Sequence, residues 1–77
     1  MTCSLKDLPE KVQARVIDLQ GELFTTQYLM DMGIRNNTVI KVIRKLFFGS
    51  NYIIEIGNEH LVLRKHVAQC LKVTTLS

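Results

Sequence analysis

Residues 52–64 read Tyr52-Ile53-Ile54-Glu55-Ile56-Gly57-Asn58-Glu59-His60-Leu61-Val62-Leu63-Arg64, two β-rich runs separated by a Gly-Asn pair. Glycine at the first central position is what a type II′ hairpin turn requires, because that residue must adopt positive φ. The turn then fixes the register. Ile56 falls opposite Glu59, Glu55 opposite His60, Ile54 opposite Leu61, Ile53 opposite Val62 and Tyr52 opposite Leu63. Apolar residues meet apolar ones across the pair, and Glu55 meets His60 on the other face. A hairpin with one oily face needs further strands to cover that face.

Those strands lie on both sides. Upstream, Thr38 to Leu46 is rich in β-branched residues; strict alternation puts Ile40, Val42, Arg44 and Leu46 on one face, with Lys41 and Lys45 on the other. Further upstream, Val12, Ala14 and Val16 alternate with Gln13, Arg15 and Ile17 in a strand running to Leu19, entered through an extended Leu8-Pro9. Downstream, Lys65 to Cys70 reads as one short helical turn and Leu71 to Thr74 as a closing strand. Between the first and second strands the period changes. Phe24, Tyr28, Leu29 and Met32 fall on one face of a short helix, and Gly33 stops it, with Ile34 placed to touch Leu29. Arg35-Asn36-Asn37 forms a turn, and Phe47 to Asn51 a loop around Gly49. The pattern predicts a mainly β fold: five short strands closed into a small barrel, one α-helix after the first strand and a helical turn before the last.

The chain has 77 residues, enough for one domain spanning residues 1–77. Hydrophobic residues make up 47% and charged residues 22%, which suits a packed core rather than a disordered tail. Trp is absent, so aliphatic side chains must fill that core. The uninterrupted apolar stretches, such as Leu61-Val62-Leu63, fall far short of the ~20 residues of a spanning helix. The opening Met1-Thr2-Cys3-Ser4-Leu5-Lys6-Asp7 lacks the basic and apolar regions of a secretory signal, so a cytoplasmic location is expected, with Cys3 and Cys70 reduced and partly buried.

Little in the sequence points to catalysis. Gly21, Gly33, Gly49 and Gly57 are isolated at turns and build no phosphate-cradling loop, and no serine stands at a telling spacing from a histidine. His66 and Cys70 are four residues apart and share a helical face, with His60 nearby in sequence. A stable metal site needs a third or fourth ligand, for which Glu59 or Cys3 would have to serve, so a surface histidine and a half-buried cysteine are the preferred reading. No catalytic residue, metal ligand or cofactor is assigned.

The order of these segments resembles the ferrous iron transport protein A (FeoA) family. Leu29-Met30-Asp31-Met32-Gly33-Ile34 is similar to the family's helix end, Thr38-Val39-Ile40-Lys41-Val42-Ile43-Arg44 to its long central strand, and Leu61-Val62-Leu63-Arg64-Lys65 to its Leu-x-Leu-Arg signature. Phe48-Gly49-Ser50-Asn51-Tyr52 sits where the family carries a Leu-Gly-Asp-Pro-like turn, without the aspartate and proline, and Leu5-Lys6-Asp7-Leu8-Pro9 is family-like. Asn36-Asn37 replaces a usual Pro-Gly, and Phe47 a common proline. The resemblance implies an SH3-like barrel in the bacterial cytosol that associates with FeoB, the ferrous iron permease bearing a GTPase domain. Similar domains form the C-terminal module of metal-dependent repressors, but no helix-turn-helix is visible here.

Three functions follow for comparison. The first is a non-catalytic accessory docking on the permease, with Phe47 and Phe48 as aromatic anchors, Arg44 and Lys45 as adjacent cations, and Arg35 as a further contact. One phenylalanine is expected to point inward and one outward. The second is a nucleic-acid-binding barrel, permitted by a net charge of +3 but lacking aromatics interleaved with Arg and Lys on the exposed faces. The third is direct iron binding through His60, His66 and Cys70. A homo-oligomer through an exposed edge or the Phe47-Phe48 pair is compatible with each.

Overall fold

The computed structural model describes residues 2–76. Six strands are present: β1 (Thr2–Ser4), β2 (Gln13–Leu19), β3 (Val39–Leu46), β4 (Asn51–Ile56), β5 (Glu59–Arg64) and β6 (Leu71–Thr75). Helix α1 (Leu23–Asp31) follows β2, and the single turn α2 (Lys65–Ala68) joins β5 to β6. All pairings are antiparallel, in the order β1-β6-β2-β3-β4-β5.

The hairpin of β4 and β5 has the register the Gly-Asn turn dictates, from Ile56 opposite Glu59 to Tyr52 opposite Leu63. Gly57 stands at φ 59°, the left-handed value that a side chain would oppose. The helix stop also follows its local chemistry. Ile34 N–H donates to the Leu29 carbonyl at 2.9 Å and Gly33 N–H to the Met30 carbonyl at 3.0 Å, the paired bonds of a Schellman motif, with Gly33 at φ 91°. Leu29 and Ile34 are both fully buried and pin this end of α1 to the barrel.

Two features of the sheet differ from the sequence reading. The strand count is six rather than five, because Thr2–Ser4 pairs with β6, Cys3 opposite Val73. Leu8 is extended, as its place before Pro9 requires, and a further element that the sequence reading lacks precedes it. Leu5–Asp7 forms a 3-10 turn, and Leu5 and Leu8 are both fully buried. Second, the alternation along β3 breaks. Val42 pairs with Ile54 but Arg44 pairs with Ile53, so Ile43 is the extra residue of a β-bulge. Arg44 therefore does not share the buried face of Ile40 and Val42. It is exposed, while Lys45 turns half-inward. A matching bulge interrupts β2 between Val16 and Asp18. Bulges bend strands and sharpen their twist, which coils this short sheet around its core.

The core is aliphatic: Ala14, Val16, Ile40, Val42, Ile54, Leu63, Leu71 and Val73 come from the strands, joined by Leu5, Leu8, Leu29, Ile34, Ala68 and the ring of Tyr52. Between the ladder's outer strands, β1 and β5, the 3-10 turn and α2 pack together and contribute Leu5 and Ala68. The barrel is thus closed by side chains rather than by a further ladder.

Candidate docking surface

Only Leu29 of α1 is fully buried. Leu29 holds the end of its face against the barrel, but the part of that face carrying Phe24 and Tyr28 does not pack there: Phe24 is 83% exposed and Tyr28 45%. Instead it forms one wall of an open groove of about 440 Å³. Val62 and Arg64 of β5 form the opposite wall, with His66 and Val67 of α2. Val62 is 59% exposed although it sits in a strand, because it alternates with the buried Leu63 and so points away from the core. The lining includes an arginine and a histidine but no carboxylate. Sequence reasoning missed this groove. Its signal was the unusual apolar content of α1 near its start, Leu23-Phe24, for which no core partner was available.

The expected aromatic pair lies at the other side of Arg64 and Lys65. Phe47–Gly49 forms a tight turn between β3 and β4, closed by Ser50 N–H donating to the Leu46 and Phe47 carbonyls at 3.1 and 3.2 Å. Both phenylalanines adopt left-handed backbone, Phe47 at φ 51° and Phe48 at φ 56°, ψ 36°. Each such residue costs about 1–2 kcal/mol when it carries a Cβ. The expectation of one ring inward fails: Phe47 is 73% exposed and Phe48 111%. The run of three positive-φ residues, ending in Gly49 at φ 85°, rotates both rings outward. Strain held at a displayed pair of rings points to use rather than to packing.

The other sequence-selected residues divide. Arg44 is exposed next to this turn. Lys45 has structural work: its Nζ donates to the Lys6 carbonyl at 3.1 Å and lies 5.9 Å from the Tyr52 ring centre, while its backbone N–H donates to Glu10 Oε2 at 2.6 Å. Arg35 is exposed on a separate open depression with Asp18, Leu23 and Met30. The structure brings Arg44 and the phenylalanines together and leaves Arg35 apart.

The residues weighed as metal ligands have ordinary partners. His60 Nε2 lies 3.2 Å from Glu55 Oε2, as the hairpin register demands, and Lys41 Nζ lies 3.5 Å from Glu55 Oε1. The His60 hydrogen bond, aided by Lys41, holds the exposed Glu55 carboxyl below its usual value. Cys70 Sγ donates to the His66 backbone carbonyl at 3.3 Å, not to its ring. Cys3 and Cys70 are free thiols, both half-buried. Among the described residues no three metal-ligating side chains cluster, and no charged side chain is buried. No helix among the described residues is long and apolar enough to cross a membrane.

Comparison with known proteins fits this geometry. The FeoA domain profile matches residues 3–75. The fold superposes on a FeoA-like protein from Clostridium acetobutylicum with a TM-score of 0.89 and 28% identity, over 99% of this chain and 88% of that one. An iron uptake regulatory protein (FeoA) gives a TM-score of 0.87 at 22% identity, covering 99% of both chains. A manganese-dependent transcriptional repressor shares the fold at 17% identity, with a TM-score of 0.90 over 97% of this chain and 41% of the repressor. No curated protein sequence gives a match. With nearly the whole SH3-like barrel matched by one profile, the chain belongs to the FeoA domain family, whose role is in ferrous iron transport.

Proposed function

We propose that the chain is a non-catalytic cytoplasmic accessory that docks on the GTPase-containing cytosolic part of a FeoB-type ferrous iron permease and supports or regulates transport. The groove between α1 and β5 carries this reading. It sets Phe24, Tyr28, Val62 and Val67 around a concave surface next to Arg64, a pattern of aromatic and aliphatic anchors beside a cation that suits a protein hot spot. Phe47, Phe48 and Arg44 form a second contact that adjoins the groove: Lys65, which follows Arg64, donates its N–H to the Ser50 carbonyl at 3.0 Å and ties the aromatic turn to the groove's end. Lys45, held by Lys6, Glu10 and Tyr52 just before that turn, and Arg35 are outlying contacts. Family membership supports the accessory role.

The test is binding of the full chain to the purified cytosolic part of the permease by calorimetry. Val62→Asp places a carboxylate in the middle of the apolar wall, where a docked partner would have to desolvate it. The expected result is one-to-one binding that weakens tenfold or more in the variant, while the unfolding midpoint stays put because Val62 is exposed. Equal affinity for both proteins would remove the groove from the contact, and no binding by either would remove the permease as partner.

A further inference from the structure

The Phe47–Phe48 turn differs in kind from the groove. The groove is concave and takes an inserted side chain. The turn is convex, and Phe48, at 111% exposure, is as open to solvent as in an extended peptide. A protein receiving two such rings needs a matching pocket, whereas the headgroup layer of a bilayer yields to whatever shape enters it. The charges around the turn also have a direction. Arg44 precedes it on β3, Arg64 pairs opposite Asn51 just beyond it, and Lys65 is bonded to Ser50 at its base. All three are exposed. Lys45 adds a fourth cation below, held against the Lys6 carbonyl and Tyr52. The carboxylate recorded in contact with this end of β3 is Glu10, and it is engaged with the Lys45 backbone N–H at 2.6 Å. Aromatic rings at a protruding tip, backed by a ring of arginine and lysine, match the layered chemistry of an anionic membrane surface: phosphates outside, hydrocarbon beneath.

We propose that this turn is a membrane-surface contact, with Phe47 and Phe48 entering the headgroup region of an anionic bilayer while Arg44, Arg64 and Lys65 meet its lipid phosphates. The left-handed backbone at both phenylalanines presents the rings outward before any lipid is met, so little ordering remains to be done on binding. One turn with two rings gives weak, reversible attachment, enough to hold the chain at the face of the membrane without anchoring it. This goes beyond docking on the permease and does not depend on it.

Co-sedimentation with vesicles tests it. The full chain is expected to partition onto vesicles of phosphatidylcholine and phosphatidylglycerol in equal parts, and at least tenfold less onto phosphatidylcholine alone. The double variant Phe47→Ser, Phe48→Ser is expected to lose tenfold or more of the binding to anionic vesicles. In a separate variant, Phe48→Trp, the indole emission should shift to the blue on adding those vesicles, which reports entry into the headgroup layer directly. Three results overturn the proposal: no partition onto anionic vesicles, equal partition by the double serine variant, or weakened binding of that variant to the soluble part of the permease with no vesicle binding by the wild type. The last result leaves the turn as a contact to the permease alone. Val62→Asp separates the two surfaces, since it should reduce permease binding and leave vesicle binding unchanged.

Discussion

Leu5→Ala is expected to destabilise the chain by about 3 kcal/mol, although Leu5 stands near the start of the sequence, where chain ends usually fray. The argument runs from its place in the fold. Leu5 opens the 3-10 turn behind β1, Leu8 N–H donates to its carbonyl at 3.1 Å, and its side chain is fully buried among core residues. Truncation removes the transfer free energy of the lost carbons and leaves a cavity that β1 and α2, tied into the sheet and the core, cannot collapse to fill. A domain of this size has a total stability of roughly 4–12 kcal/mol, so the loss removes a large share of it. Urea unfolding followed by circular dichroism should show a lower midpoint with an unchanged slope. Asp7→Ala, at the exposed end of the same turn, should stay within about 0.5 kcal/mol of the wild type. A similarly small effect for Leu5→Ala would mean that the first strand and turn are not docked.

A second large effect is expected at Gly21, between β2 and α1. Its φ is 144°, a conformation that L side chains rarely adopt, and a Cβ placed there would lie 2.8 Å from Cys70 Sγ and 3.4 Å from Cys70 Cβ. The neighbouring backbone cannot simply retreat, because Gln20 N–H donates to the Cys70 carbonyl at 2.7 Å. Nor is the thiol free to swing away without loss, since it donates to the His66 carbonyl. Gly21→Ala therefore combines backbone strain with overpacking and should cost about 2–4 kcal/mol. Adding Cys70→Ala relieves the clash but not the strain, so the double variant should regain part of the loss, leaving a non-zero coupling in a double-mutant cycle. A neutral Gly21→Ala would contradict the close approach of these two segments.

What could be read from the sequence was local, and what could not was set by distant partners. The Gly57-Asn58 turn and the Gly33 helix stop depend on φ preferences of single residues, so their consequences, the hairpin register and the Leu29–Ile34 bonds, followed without a sheet in view. The bulge at Ile43 has no such marker. It is defined only against β4, and its effect was to exchange the roles of Arg44 and Lys45. The strand Thr2–Ser4 is similarly invisible alone, because its pairing comes entirely from β6 at the far end of the chain. The candidate surface was legible in half. Phe47 and Phe48 stood out as apolar residues in a loop, but no residue preference announces two left-handed phenylalanines, since these positions run against propensity. The shared face of Phe24, Tyr28 and Leu29 was legible, but which of its residues would be covered was not: Leu29 is buried while Phe24 and Tyr28 are exposed. Periodicity shows that side chains share a side of a helix, not whether anything packs against it.

The most direct test of the docking account is a heteronuclear NMR titration of the isotope-labelled chain with the unlabelled cytosolic part of the permease. The account predicts that the largest shift changes fall on Phe24, Tyr28, Val62, Arg64 and Val67, around the α1–β5 groove. Changes confined to Arg15, Ile17 and Val39 on β2 and β3, or no changes at saturating partner, would contradict it.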